Sequence, residues 1–133
     1  MLQKLNSRRG GFTLVEIMIV VAIIALLAAI AVPNFLRARK RSQATRVLED
    51  LRMIDSAIDQ YAIETNKTTG ATANWTDVKA YLKTGSALYN SGGADLFGNT
   101  FGAMAVDTLP SVPTNTKTSL SDVAPAEFWS PFQ

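Results

Sequence analysis

The chain has 133 residues, 47% of them hydrophobic, and a formal charge of +2, enough for one small domain. It contains neither Cys nor His, which excludes thiol chemistry, zinc sites built on those ligands and His-based acid–base catalysis. A domain this small without a disulfide must be held by packing, by assembly or by an oxygen-ligated cation.

Met1 to Gly11 is polar and basic, with Lys4, Arg8 and Arg9 and no apolar periodicity. Phe12 to Val32 is then apolar apart from Glu16 and the small polar Thr13. As a helix this run would extend about 32 Å, long enough to cross a bilayer. It is too long, and too charged at one end, for an ordinary secretory h-region. An ionised side chain near hydrocarbon is costly unless it finds a partner, so Glu16 stands out as a functional candidate. The plainer alternative is a tolerated charge at a helix end, snorkelling toward the interface. Charge does not settle orientation: Lys4, Arg8, Arg9 and the amino terminus on one side balance Arg37, Arg39, Lys40 and Arg41 on the other.

Beyond Pro33 the pattern predicts a second helical stretch to about Asn66. Val47, Leu51, Ile54, Ile58 and Tyr61 recur at helical spacing, with Leu48 and Ala62 widening the stripe. Such a stripe reads as a core-facing surface. Asp50, Asp55 and Asp59 share the other faces with Arg46 and Arg52, and Arg46 with Asp50 makes an (i, i+4) pair. Asn66 to Gly70 supplies a stop. Pro33 kinks a helix without necessarily ending it.

From Ala71 the composition shifts to Thr, Asn, Ser, Gly and Pro. Trp75 to Leu82 suits a short helix, and Ser91-Gly92-Gly93 a turn. Phe101–Val106 and Thr108–Val112 are expected as short strands separated at Asp107. The tail, with Phe128, Trp129 and Phe132, offers aromatic cover for an open sheet.

The leader ending in Gly11, the Phe12-Thr13-Leu14-Val15-Glu16 start, the apolar run and Pro33 together resemble type IV pilins and the pseudopilins of type II secretion. The resemblance is specific over roughly the first 45 residues. It implies cleavage after Gly11 by a membrane-embedded prepilin peptidase, N-methylation of the new terminus at Phe12, and a register role for Glu16, which becomes the fifth residue of the cut chain. It also implies one long helix from Phe12 to about Asn66, bent near Pro33. Where Ala25 stands, many relatives have Gly, so local unwinding between Ala25 and Pro33 is less expected here. The fold class that follows is α+β and pilin-like, a long N-terminal helix packed on a small C-terminal antiparallel sheet and loop region. The divisions are 1–11 (basic leader), 12–33 (transmembrane and assembly helix), 34–66 (amphipathic second half) and 67–133 (small globular region). Loss of Lys4, Arg8 and Arg9 with the leader would leave ten basic against eleven acidic residues, so the basic balance is no argument for a nucleic-acid partner.

Asp95-Leu96-Phe97-Gly98-Asn99-Thr100-Phe101 is similar to the Asp-Pro-Trp-Gly-Asn-Pro-Tyr pattern of major pseudopilins, with both prolines replaced. Major pseudopilins hold calcium in a C-terminal loop, which makes Asp95, Asp107, Asp122 and Glu127 candidate oxygen ligands; no EF-hand spacing is present, and solvated turn acids are the plainer reading. Arg37, Arg39, Lys40 and Arg41 suit anionic lipid or DNA, or a solvated collar that pairs with neighbouring subunits. No aromatic residue interleaves the cluster as a stacking platform would need. No nucleophile–base pair or phosphate-cradling Gly loop appears, so the expectation is a substrate of enzymes rather than an enzyme.

The expected product is an inner-membrane, single-pass subunit with its C-terminal region in the periplasm. It would homopolymerise through its N-terminal helices at an inner-membrane assembly platform after the peptidase and methyltransferase have acted. Absence of a Cys pair, which many pilins carry, and the Asp95–Phe101 similarity lean toward a type II secretion pseudopilin. A type IV major pilin serving adhesion, twitching or DNA uptake, and a monomeric anchored binding module, are the alternatives.

Overall fold

The structure, a computed structural model, describes residues 10–133, so Lys4, Arg8 and Arg9 of the expected leader lie outside the described residues. One helix, α1 (Leu14–Thr65), dominates the chain and continues without interruption through Pro33. The stretch between Ala25 and Pro33 is helical throughout. Thr13 and Glu16 cap the start of α1, whereas Asn66 ends it in the left-handed conformation (φ 51°). Lys67 N–H then reaches back to the Ala62 carbonyl at 3.0 Å, the closure typical of a helix stopped by a left-handed residue.

The chain divides into two compact units at Leu36/Arg37. In the first, every residue from Gly10 to Leu36 is exposed. In the second, α1 contributes one buried face: Ala44, Val47, Leu48, Leu51, Ile54, Ala57, Ile58 and Tyr61. This is the predicted stripe, extended by two alanines that allow close approach of the C-terminal segments. Those segments supply the other side of the core, with Val78, Leu88, Phe101, Met104, Leu120 and Trp129 among the residues clustered against α1.

The sheet is small. β1 (Thr72–Ala73) pairs antiparallel with β2 (Met104–Ala105), Thr72 opposite Ala105 and Ala73 opposite Met104. Flanking bonds from Gly70 N–H to Val106 O and from Val106 N–H to Ala71 O extend the contact. The expected strand over Phe101–Val106 shrinks to these two residues because Gly102 takes φ 79° just before it and Asp107 takes φ 58° just after. The expected strand over Thr108–Val112 does not form; only an isolated bridge joins Ala105 and Thr108. Pro110 has no N–H to give a ladder, and Val112 N–H bonds the Phe132 carbonyl instead.

Short helices fill the rest: α2 (Trp75–Lys79), α3 (Ala87–Asn90) and α4 (Thr114–Ser119), followed by a 3₁₀ turn over Ala126–Trp129. The helix expected over Trp75–Leu82 tightens after Lys79 into i→i+3 bonds at Tyr81 and Leu82. Neither α3 nor α4 has an apolar period long enough to announce it. Trp129 and Phe132 enter the common core, and Trp129 Nε1 donates to the Ala124 carbonyl at 3.2 Å.

Candidate functional site

The start of α1 carries the sharpest sequence candidates. Thr13 Oγ1 accepts the Glu16 N–H at 3.2 Å, and the Glu16 carboxylate accepts the Thr13 N–H at 2.9 Å. This is a capping box, two residues satisfying each other's otherwise unpaired donors. Its sequence signal is Thr-x-x-Glu directly before an apolar run, and it gives Glu16 a partner within its own chain. Glu16 therefore has a local duty as well as its charge. The duty is heaviest in hydrocarbon, where water is not at hand for the first N–H groups of a helix. Only Oε2 of the carboxylate is engaged by Thr13, and Phe12, the adjoining residue, is 86% exposed.

Gly11 precedes the box. A Cβ built on Gly11 or Gly10 meets nothing within 4 Å, and neither residue has a positive φ. The folded chain itself makes no demand for glycine at either position. From Leu14 to Leu36 each large apolar side chain is exposed, and the most apolar window of α1 buries nothing. An apolar surface this long and bare is unusual for a soluble helix and needs cover from lipid or protein.

At the start of the second unit, Lys40 Nζ lies 2.9 Å from Asp122 Oδ2. That hydrogen bond, assisted by the Lys40 charge and the nearby Arg37, holds the Asp122 carboxyl below its ordinary range. Arg37, Arg39 and Arg41 are exposed, and Lys40–Asp122 is the sole ion pair among the described residues. Arg46 and Asp50, expected as an (i, i+4) pair on an outer face, do not close into one. Asp50 is buried instead, beside an open cleft of about 460 Å³ also lined by Arg46, Glu49, Met53 and Leu88. Burial pushes its pKa up; Arg46 opposes the shift, while Glu49 and Asp95 add to it.

The candidate calcium ligands are not brought together. Among the described residues no three acidic groups converge as a metal site would require. Asp95 is buried and organises its own loop: Oδ1 accepts the N–H groups of Phe97 (2.9 Å) and Asn99 (3.0 Å), and Oδ2 accepts the Thr116 hydroxyl. Asn99 Nδ2 donates to that hydroxyl at 2.8 Å, which joins the loop to α4. Asp107 accepts from Thr69 Oγ1, Asp122 holds Lys40, and Glu127 is exposed in the 3₁₀ turn. Asp95, Asp107 and Asp122 thus each hold a different partner, and Glu127 stands apart from them in the 3₁₀ turn.

Residues 6–32 match the family described as the prokaryotic N-terminal methylation motif. The chain is 42% identical over 64 residues to the type IV major pilin protein PilA of Myxococcus xanthus (strain DK1622), covering 48% of this chain and 29% of that one. It is 34% identical over 87 residues to the type IV major fimbrial protein FimA of Dichelobacter nodosus, covering 65% and 56%. It is 32% identical over 62 residues to the type II secretion system core protein G of Aeromonas hydrophila, covering 47% and 43%. The matches span about half the length of these curated relatives, or less. No solved structure gives a significant match. The resemblance to type IV pilins and secretion-system G proteins is thus found in the comparisons as well as in the motif, and the architecture is α+β and pilin-like.

Proposed function

We propose that this chain is a structural subunit of a type IV pilus-like filament. It is cut after Gly11, methylated on Phe12 and polymerised through its apolar helix. One observation carries the reading: the membrane-length apolar stretch of α1, exposed from Leu14 to Leu36, begins at the Thr13–Glu16 capping box inside a matched methylation motif. Gly11, for which the fold has no use, suits an outside demand, a peptidase site that admits backbone without a Cβ.

Cleavage creates an ammonium on Phe12, and methylation leaves its charge in place. The capping box holds the Glu16 carboxylate at the helix start, where one oxygen remains to meet the Phe12 ammonium of a neighbouring subunit. Breaking such a buried pair costs about 3–5 kcal/mol, so a misregistered subunit would dock poorly. Before assembly the apolar segment resides in the inner membrane with the C-terminal unit in the periplasm. The chain is a substrate of the peptidase and the assembly platform, not an enzyme.

Glu16→Gln tests the charge separately from the cap, because the amide oxygen can still accept the Thr13 N–H. The variant is expected to be processed normally, by N-terminal mass spectrometry, and to give few filaments by electron microscopy. Wild-type filament yield from Glu16→Gln would reduce Glu16 to a helix cap.

Within this reading we favour a type II secretion pseudopilin. Support comes from the similarity of the Asp95–Phe101 loop to the major-pseudopilin pattern, its turn held by Asp95, and from the absence of any cysteine. Similarity to major pilins favours the alternative of an extracellular pilus. Deletion of the gene separates them: lost exoprotein secretion with intact surface pili supports the pseudopilin, and lost surface pili with intact secretion overturns it.

A further inference from the structure

Arg37, Arg39, Lys40 and Arg41 follow Leu36 within the same helix. At 3.6 residues per turn, Arg37 and Arg41 lie one turn apart on one side of α1, Lys40 stands beside them, and Arg39 projects from the opposite side. Asp122 takes Lys40 out of play. Three exposed arginines remain, disposed around the helix rather than along one face, with no ion-pair partner among the described residues.

We infer that this collar binds the phosphodiester groups of anionic phospholipid around the helix where it leaves the bilayer. The inference rests on the membrane reading of the apolar segment. Leu14 to Leu36 as a helix extends about 34 Å, slightly more than a hydrocarbon core of about 30 Å, which brings Arg37 to Arg41 to head-group depth. Guanidinium forks match phosphate oxygens in a way that a lysine point charge does not. The distribution decides the occupant. A helix crossing a head-group layer is surrounded by phosphates and can use arginines on opposite sides, whereas a DNA duplex would engage one side and leave Arg39 idle. The collar would hold an unassembled subunit at constant depth and release lipid as subunits enter the filament.

The test uses the full chain in nanodiscs of equimolar phosphatidylglycerol and phosphatidylcholine, with native mass spectrometry counting the lipid that leaves with the protein. Wild type should retain phosphatidylglycerol over phosphatidylcholine about fivefold for each arginine engaged. Arg37→Gln/Arg39→Gln/Arg41→Gln should retain both lipids equally, while Lys40→Gln keeps the preference. All these positions are at least partly exposed, and an unchanged melting temperature would verify that the variants fold. Equal retention by wild type overturns the inference, as does a preference that survives the triple substitution. Salt-sensitive capture of duplex DNA in place of lipid overturns it in favour of a nucleic-acid surface. Alkaline extraction of the membranes separates membrane insertion from lipid preference. Protein released by carbonate removes the membrane reading itself; protein that stays in the pellet without a lipid preference removes only the collar.

Discussion

The segment up to Leu36 and the unit from Arg37 onward spend apolar residues in opposite ways. In the first, large side chains such as Ile24, Leu27 and Phe35 are exposed all the way from Leu14 to Leu36. In the second, α1 keeps its apolar residues to one stripe, and short pieces of the C-terminal half close over it. One stabilises a fold, and the other waits for a surface that the single chain does not contain. Burial within the chain therefore separates what holds the subunit together from what would hold subunits to one another.

Trp129→Ala should break the second region most severely. It removes a fully buried side chain and its bond to Ala124, a loss of about 3–5 kcal/mol by urea denaturation. Leu26→Ala, on the bare helix, should leave the same melting curve unmoved and instead lower filament yield. Equal effects of the two variants on the melt would erase the contrast.

Next in size is Thr116→Val. It strips a hydroxyl that both donates to Asp95 and accepts from Asn99, so the cost should be about 1–3 kcal/mol. Calcium added to wild type should leave the melting temperature unchanged, because Asp95, Asp107 and Asp122 serve separate partners. A clear calcium-dependent rise would show that these carboxylates regroup around the ion.

Asp50→Asn should raise the melting temperature at neutral pH. Because burial lifts the folded pKa of Asp50 above its unfolded value, the charged form penalises the folded state at neutral pH. In wild type that penalty fades as pH falls from the folded value to the unfolded one. The benefit of the amide should fade over the same window, and thermal melts at neutral and mildly acidic pH would follow it.

The smallest effect belongs to Asp122→Asn, since the pair with Lys40 is exposed to solvent. Its lowered pKa gives the opposite sign: the contribution is present above the unfolded carboxylate value and is lost as pH falls through the folded one. A large drop in the melting temperature would mean that the pair pins the C-terminal unit more firmly than an exposed ion pair should.

The long helix was legible because its evidence is local and repeated. A 3.6-residue period over Val47 to Tyr61, an apolar run of membrane length and a polar, glycine-ended stop over Asn66 to Gly70 are properties of neighbours in the chain. The Thr13–Glu16 spacing is equally local, yet the capping box it encodes came to light only in the hydrogen bonds of the folded chain. The C-terminal half was less legible. Its strands are two residues long and its helices four to six, too short for any period to accumulate. What decides them is a handful of contacts between distant residues, such as Ala73 beside Met104, Val112 bonded to Phe132, and Thr116 bonded to Asp95. Asp95 shows the difference well. From the sequence it was a candidate ligand for a cation, but the folded chain surrounds it with two N–H donors and a hydroxyl.

By itself, then, the sequence determined the apolar run, the long helix and the methylation motif, because charge, hydrophobicity and period act over a few residues at a time. Tertiary structure alone decided which carboxylates are occupied, that Asp50 is buried, and that Lys40 rather than an arginine pairs with Asp122. Those outcomes depend on which side chains meet after the C-terminal segments close over α1, and no short-range pattern encodes a meeting between residues 82 positions apart.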